Sequence, residues 1–440
     1  MKFIQLAKEY DLVVGDRFEL FYRGVICLNN PYEYQILVRC DKGNPLPRYY
    51  TFTPKSTDVG EYELTISLID NNLAEIDKAK TILKVNMPEE SNKKLNVLCF
   101  GDSITFNGVW PAEGYRRYSC TGGEPDGNGF KNTLNMLGTC KKEVNDETIG
   151  YEGYGSWTWR SYSTNDNVSM NSPVWITVDK HNFDENDQHS VWKNNNMLWV
   201  LESILPNKLK FKRGERNNTP SPKILEKFEH VEGGFHHDNI EVKGYEFELS
   251  NPFWNKEKND VDIKAYINKL GEDSLDLVYV MLTWNGIYVP YNTNFNHHLD
   301  YAKFILKKIH DDFPNAHITI MGIQVCSVNG GIALNYGANG PYSDTFGEIS
   351  SCFNYNKQLE ELALSDEFKE YCRYVDTKAM FDSEYNMPTV EMPVNARSKK
   401  TELVGTNGVH PSMDGYLQLG DVFYRALVRD INEKNKEEKA

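Results

Sequence analysis

Two short stretches of the sequence hold residue types that can perform nucleophilic chemistry. In "LCFGDSITFNG", residues 98–108, a hydrophobic run stops at Gly101, Asp102 and Ser103. A serine just past a buried strand, on a tight turn into a helix, is exposed as a nucleophile and lies near helix amides that stabilise a developing anion. Serine and aspartate are also preferred helix N-caps, so the tripeptide alone serves a cap equally well. The second stretch is "TNGVHPSMDGY", residues 406–416, where His410 precedes a proline and an amphipathic helix. A hydroxyl needs a base to become a nucleophile, and histidine titrates in the right range.

The elements that must position these residues begin at residue 95, where continuous apolar runs alternate with helical segments, the pattern of a parallel sheet covered on both faces. Strands are predicted at 95–100, 143–151, 275–282, 317–325 and 371–377, and helices at 299–313, 354–365 and 414–431. In the last helix Leu419, Val422, Phe423, Ala426 and Leu427 recur at helical spacing. The expected fold is a doubly wound α/β sheet, in which ligands bind at the strand carboxyl ends. An insertion at about 164–270, rich in Asn, His and Trp, breaks the alternation, and 326–350 is a further long loop. The charged end from residue 432 reads as a frayed terminus.

The N-terminal part has a different pattern. Tyr62, Leu64, Ile66 and Leu68 alternate with Glu63, Thr65 and Ser67, which places one face inward and the other in water. Together with "YEYQILVRC" and "AKTILKV" this predicts an all-β sandwich over residues 1–88. The polar stretch "NMPEESNKK" follows, so residues 89–94 are expected to link the sandwich to an α/β domain at 95–440.

A formal net charge of −15 argues against nucleic acid and anionic lipid as partners. No apolar run spans a bilayer, and the start "MKFIQLAKEYDLVVGDRFEL" interrupts what a signal peptide needs, so a cytoplasmic protein is expected, or a secreted one if a leader has been removed. The eight cysteines include no CxxC pair. They read as reduced thiols, with neither a zinc knuckle nor a redox motif. The adjacent pairs His236-His237 and His297-His298 point to opposite sides of a strand and make poor joint metal ligands, and no glycine-rich stretch carries a P-loop lysine. No metal and no cofactor is expected.

"FGDSIT" and "GVHPSMDGY" resemble the first and last sequence blocks of the SGNH (GDSL) hydrolases, esterases named for a Ser, a Gly, an Asn and a His. "YEGYGSWTW", 151–159, resembles the glycine block and "MLTWNGI", 281–287, the asparagine block, so the likeness covers about 95–431. The resemblance implies a flavodoxin-like sheet with Ser103 as nucleophile and His410 as general base. It also implies an oxyanion hole made by the Ser103 N–H, the Asn285 side-chain amide and a glycine-block N–H. That last donor aligns with either Gly155 or Ser156, and Ser156 would need an ordinary backbone geometry. Asp102, Trp157 and Trp284 are expected to contact substrate, the tryptophans as a sugar-binding cleft or else as core.

Two positions depart from the family pattern. Thr283-Trp284-Asn285-Gly286 stands where Gly-Thr-Asn-Asp is common, and Asn407 replaces an Asp three residues before the histidine. An amide can orient an imidazole but brings no full charge, so a Ser-His dyad is expected, or a triad completed by a backbone carbonyl or Asp414. The implied function is a serine esterase acting on O-acyl, foremost O-acetyl, esters of a small molecule or oligosaccharide, as in carbohydrate esterases of polysaccharide-degrading bacteria. The alternatives are a lipase or thioesterase for longer acyl chains, and a carbohydrate-binding protein that has lost catalysis.

Overall fold

The computed structural model describes residues 2–165, 251–338 and 340–439, and between 174 and 249 the backbone of six strands that pair antiparallel. The pair His236-His237 lies outside the described residues.

The chain is a mixed α/β protein built on a mostly parallel sheet. Its parallel core comprises β1 (Leu95–Gly101), β2 (Glu147–Gly153), β3 (Leu277–Met281), β4 (His317–Met321) and β5 (Cys372–Val375), laid side by side in the order β2-β1-β3-β4-β5. Leu134–Leu137 runs parallel to the first half of β1, and Cys140–Val144 pairs antiparallel with β2. That hairpin splits the single strand expected at 143–151, because Asn145 takes a left-handed turn conformation at φ 52°.

Every residue of β1, β3 and β4 is buried, as a sheet with both faces covered requires. Cys99, Tyr279 and Thr319 are in register and so share one face. The helices around this sheet include α1 (Ser103–Phe106), α2 (Val109–Ser119), α3 (Trp159–Ser163), α4 (Asn296–Asp312), α5 (Thr345–Ala363) and α6 (Met413–Glu437). α6 covers the Tyr279 face: Tyr279 donates to Asp430 at 2.7 Å, Arg429 donates to Thr319 at 2.9 Å, and the Phe423 ring meets Tyr279 at 4.6 Å. On the opposite face Phe100 packs edge-on against Tyr162 of α3 at 4.9 Å and Phe253 at 5.5 Å.

In the N-terminal part, Glu9–Val13, Glu75–Asn86, Gly60–Ile69 and Gln35–Arg39 form a four-stranded sheet, and Phe18–Phe21, Tyr49–Phe52 and Asn44–Pro45 a three-stranded one. The expected alternation holds only at the start of Gly60–Ile69. Thr65 and Ser67, assigned to water, are buried, and the Glu75 side chain bonds to Ser67 on that face.

The polar stretch before β1 and the charged C-terminus differ from their expected character for one reason. α6 continues to Glu437, and its Asn432 and Asn435 carboxamides donate to the carbonyls of Met87 and Glu90 at 2.7 and 2.9 Å. Asn435 also accepts from the Asn92 N–H at 3.0 Å. Backbone groups of the connection are thus satisfied by helix side chains, which ties both segments down.

Buried ions fasten the N-terminal strands to the helices. Asp16 accepts from Arg117 of α2 at 2.7 Å and from Arg425 of α6 at 2.5 Å, with all three side chains nearly inaccessible. The two guanidiniums hold the Asp16 carboxyl below its ordinary value against the opposing effect of burial. Arg429 reaches Asp11 at 3.0 Å in the same way. Removing one partner of such a group strands the others in low dielectric, so Asp16→Ala should lower unfolding free energy by about 3–5 kcal/mol. Urea denaturation of the two proteins checks this; a loss below about 1 kcal/mol would show that the arginines find other partners.

Candidate active site

Reversal of strand order at β1 opens a crevice between the carboxyl ends of β1 and β3. The candidate residues converge there. Gly101 ends β1 beside Met281 of β3, and a Cβ at Gly101 would sit 2.2 Å from both the Met281 carbonyl and Thr105 Oγ1, which is why glycine occupies this position. Gly153 of β2 is similarly pressed against the backbone of Thr105 and Phe106. The two glycines let the turn carrying Ser103 sit down on the sheet edge.

Ser103 opens α1 and is partly accessible, and its Oγ lies 2.9 Å from His410 Nε2. His410 is largely buried, and burial lowers its pKa from the ordinary 6.5, so the ring is a neutral acceptor at pH 7. Sequence blocks from the two ends of the α/β region therefore meet as a hydroxyl and an imidazole within hydrogen-bond distance. Among the described residues no carboxylate pairs with the His410 ring.

The residues proposed to orient the imidazole do other work. Asn407 Oδ1 accepts from the N–H groups of Val409 and His410, both at 2.9 Å, which fixes the loop backbone instead of the ring. Asp414 is exposed on the first turn of α6 and makes no ion pair with His410. Loop position is also set from β4: Gln324, just past the strand, donates to the Val409 carbonyl at 3.0 Å.

Asp102, expected to contact substrate, is fully buried and instead joins three loops. It caps α1 by accepting from the Ile104 N–H at 3.0 Å, and its Oδ2 accepts from Thr283 N at 2.7 Å, Thr283 Oγ1 at 2.6 Å and Asn285 Nδ2 at 3.2 Å. Burial outweighs these donors and raises its carboxyl to about 6.

Asn285 is not the free donor that was expected. Its Nδ2 is shared between Asp102 and the Trp157 carbonyl at 3.0 Å, while its Oδ1 accepts from Tyr288. In the glycine block, Tyr154 to Trp157 form a turn in which Ser156 is exposed and left-handed at φ 67°, not in the ordinary geometry expected of it. Gly155 is buried. Among the described residues the Ser103 and Ser156 N–H groups have no protein acceptor.

Trp157 and Trp284 are buried, so neither offers a face to a sugar. Trp157 packs between Tyr154 and Tyr162 at 4.4 and 4.5 Å, and Trp284 lies parallel to Tyr288 at 6.3 Å. Two buried acids escaped the sequence reading. Glu152 accepts from Thr139 and from the hydroxyls of Tyr154 and Tyr266, which anchors the glycine-block turn from below. Glu348 accepts from the Ile332 N–H at 3.0 Å, and burial pushes its carboxyl up to about 7. The only signal of Glu152 in the sequence was a lone acid in the otherwise uncharged run 149–159.

No family model and no curated protein matches this chain. Among solved structures, the chain is similar to one described as "Peptidoglycan O-acetylesterase in action, 5 min", at 11% identity over 78% of this chain and 93% of that one, with a TM-score of 0.30. Among the described residues no helix is long and apolar enough to cross a membrane.

Both ionisable groups of the site must lose a proton to serve it. His410 accepts only when neutral, and Asp102 can accept three bonds on Oδ2 only as carboxylate. An ester hydrolysis run by this Ser103–His410 pair should therefore be level above about pH 7 and fall below it with a slope steeper than one proton. A pH profile of kcat/KM measures this; a single-proton limb would show that Asp102 stays ionised throughout.

Proposed function

We propose that this chain is a serine esterase of the SGNH type with an N-terminal β-sandwich domain, acting on O-acetyl esters of carbohydrate. The observation that carries the reading is the 2.9 Å contact between Ser103 Oγ and His410 Nε2 at the β1/β3 crevice. The order β2-β1-β3-β4-β5 and the approach of all four sequence blocks to that crevice support it. The division at residues 89–94 is part of the same proposal.

In the proposed reaction Ser103 Oγ attacks the ester carbonyl carbon while its proton passes to His410 Nε2. The tetrahedral oxyanion is received by the N–H groups of Ser103 and Ser156. Asn285 acts first as a positioning residue, since its amide braces the Asp102 carboxylate against the glycine-block turn. Collapse breaks the bond to the alkoxide, which takes the proton from His410 and leaves an acetyl-serine. Water then repeats the sequence, giving up its proton to His410 as it attacks. Among the described residues no carboxylate pairs with the ring, so in this reading Ser103 and His410 act as a dyad.

Hydrolysis of p-nitrophenyl acetate, butyrate and octanoate by wild type and Ser103→Ala tests the reading. The acetate should be the best substrate, and Ser103→Ala should lose at least about a thousandfold in kcat. Preference for octanoate would favour a lipase, and equal rates in the two proteins would remove Ser103 from the chemistry.

A further inference from the structure

We infer that a second binding site lies where the N-terminal strands meet α5, and that its ligand is a neutral sugar unit. The site is an open surface depression of about 230 Å³ lined by Leu28, Asn29, Asn30, Glu33, Tyr34 and Phe346. Its lining combines two aromatic rings with two carboxamides and one carboxylate. A pyranose presents an apolar C–H face and an edge of hydroxyls, and this is the complement such a lining offers. The polar groups are set in advance: Asn30 accepts from the Tyr32 N–H and donates to Glu33 Oε1, both at 3.3 Å. The Asn29 carboxamide has no protein partner among the described residues. No cation lines the depression and the chain carries a net charge of −15, which selects against an anionic ligand.

A run of side-chain contacts leads from the Asn285 loop at the crevice to Phe346 in the lining of this site. Tyr288 donates to Asn285 and packs edge-on to Tyr342 at 6.0 Å; three residues on, the Tyr291 ring lies 6.2 Å from Phe346. Tyr291 is 59% exposed and holds φ 57°, a conformation a bulky residue rarely adopts. It is kept there by its N–H bond to the Gly347 carbonyl at 3.2 Å and by the bond from Asn292 N to Ser351 Oγ at 3.1 Å. Strain maintained to present an aromatic face to solvent points to a ligand that uses the face. The segment 285–291 thus spans from the Asp102–Asn285 contact at the crevice to the Phe346 ring. On the esterase reading, the site is a distal subsite for an oligosaccharide whose acetyl group is at Ser103.

The test separates the two readings. Titration of Ser103→Ala protein with xylohexaose, mannohexaose and chitohexaose by calorimetry reads the depression without chemistry. At least one hexasaccharide should bind, and adding Phe346→Ala, or the exposed pair Asn29→Ala and Glu33→Gln, should weaken it about tenfold. The same changes in catalytically intact protein should leave p-nitrophenyl acetate hydrolysis unchanged. Absence of binding for all three sugars, or unchanged affinity in both sets of variants, would overturn the site. Failure of Ser103→Ala to lower ester hydrolysis would overturn the esterase reading alone.

Discussion

A single buried carboxylate organises the crevice. Asp102 closes the turn that presents Ser103 and, through Oδ2, holds the loop after β3 against it. Through Asn285 the same oxygen reaches the carbonyl of Trp157 in the glycine block. Three loops that leave neighbouring strands are thereby fixed to one point. The arrangement has a cost in stability. A carboxyl raised to about 6 from 3.8 binds its proton more tightly folded than unfolded, so its contribution falls as pH rises through that window, by about 3 kcal/mol in order of magnitude. The four donated bonds are what make the ionised form tolerable in the fold.

The rest of the structure supplies rigidity to that point. α6 begins three residues beyond His410, crosses the Tyr279 face of the sheet, and ends by bonding the connection that precedes β1. It also carries Arg425 and Arg429, which anchor Asp16 in the turn after Glu9–Val13 and Asp11 within that strand. One helix therefore ties together the His410 loop, the sheet under Ser103 and the N-terminal part.

How much of this was legible in the sequence follows from the range of each interaction. Apolar runs and helical spacing are local, and they located β1 to β5 and α4, α5 and α6, with shifted ends, but not the parallel strand Leu134–Leu137. The helix α2 was missed, because its stability comes from packing such as Trp110 on Phe423 at 5.2 Å, and the two-residue turn at Asn145 was missed although its left-handed residue is a local signal. At the site, residue type and position relative to a strand end were enough to pair Ser103 with His410. They were not enough to assign partners to polar side chains. Asn407 went to backbone amides, Asn285 to Asp102 and Trp157, and the tryptophans to the core, since these outcomes depend on contacts between loops far apart in the chain.

The account depends on Ser103 being an activated hydroxyl paired with a neutral His410. Intact-mass measurement after exposure to a fluorophosphonate reads that activation directly, because the probe phosphonylates a serine only when a base takes its proton. The account predicts one adduct per chain in the wild type, mapping to Ser103 and absent in folded His410→Ala protein. No adduct on folded wild-type protein, or an adduct that persists in His410→Ala, would contradict it.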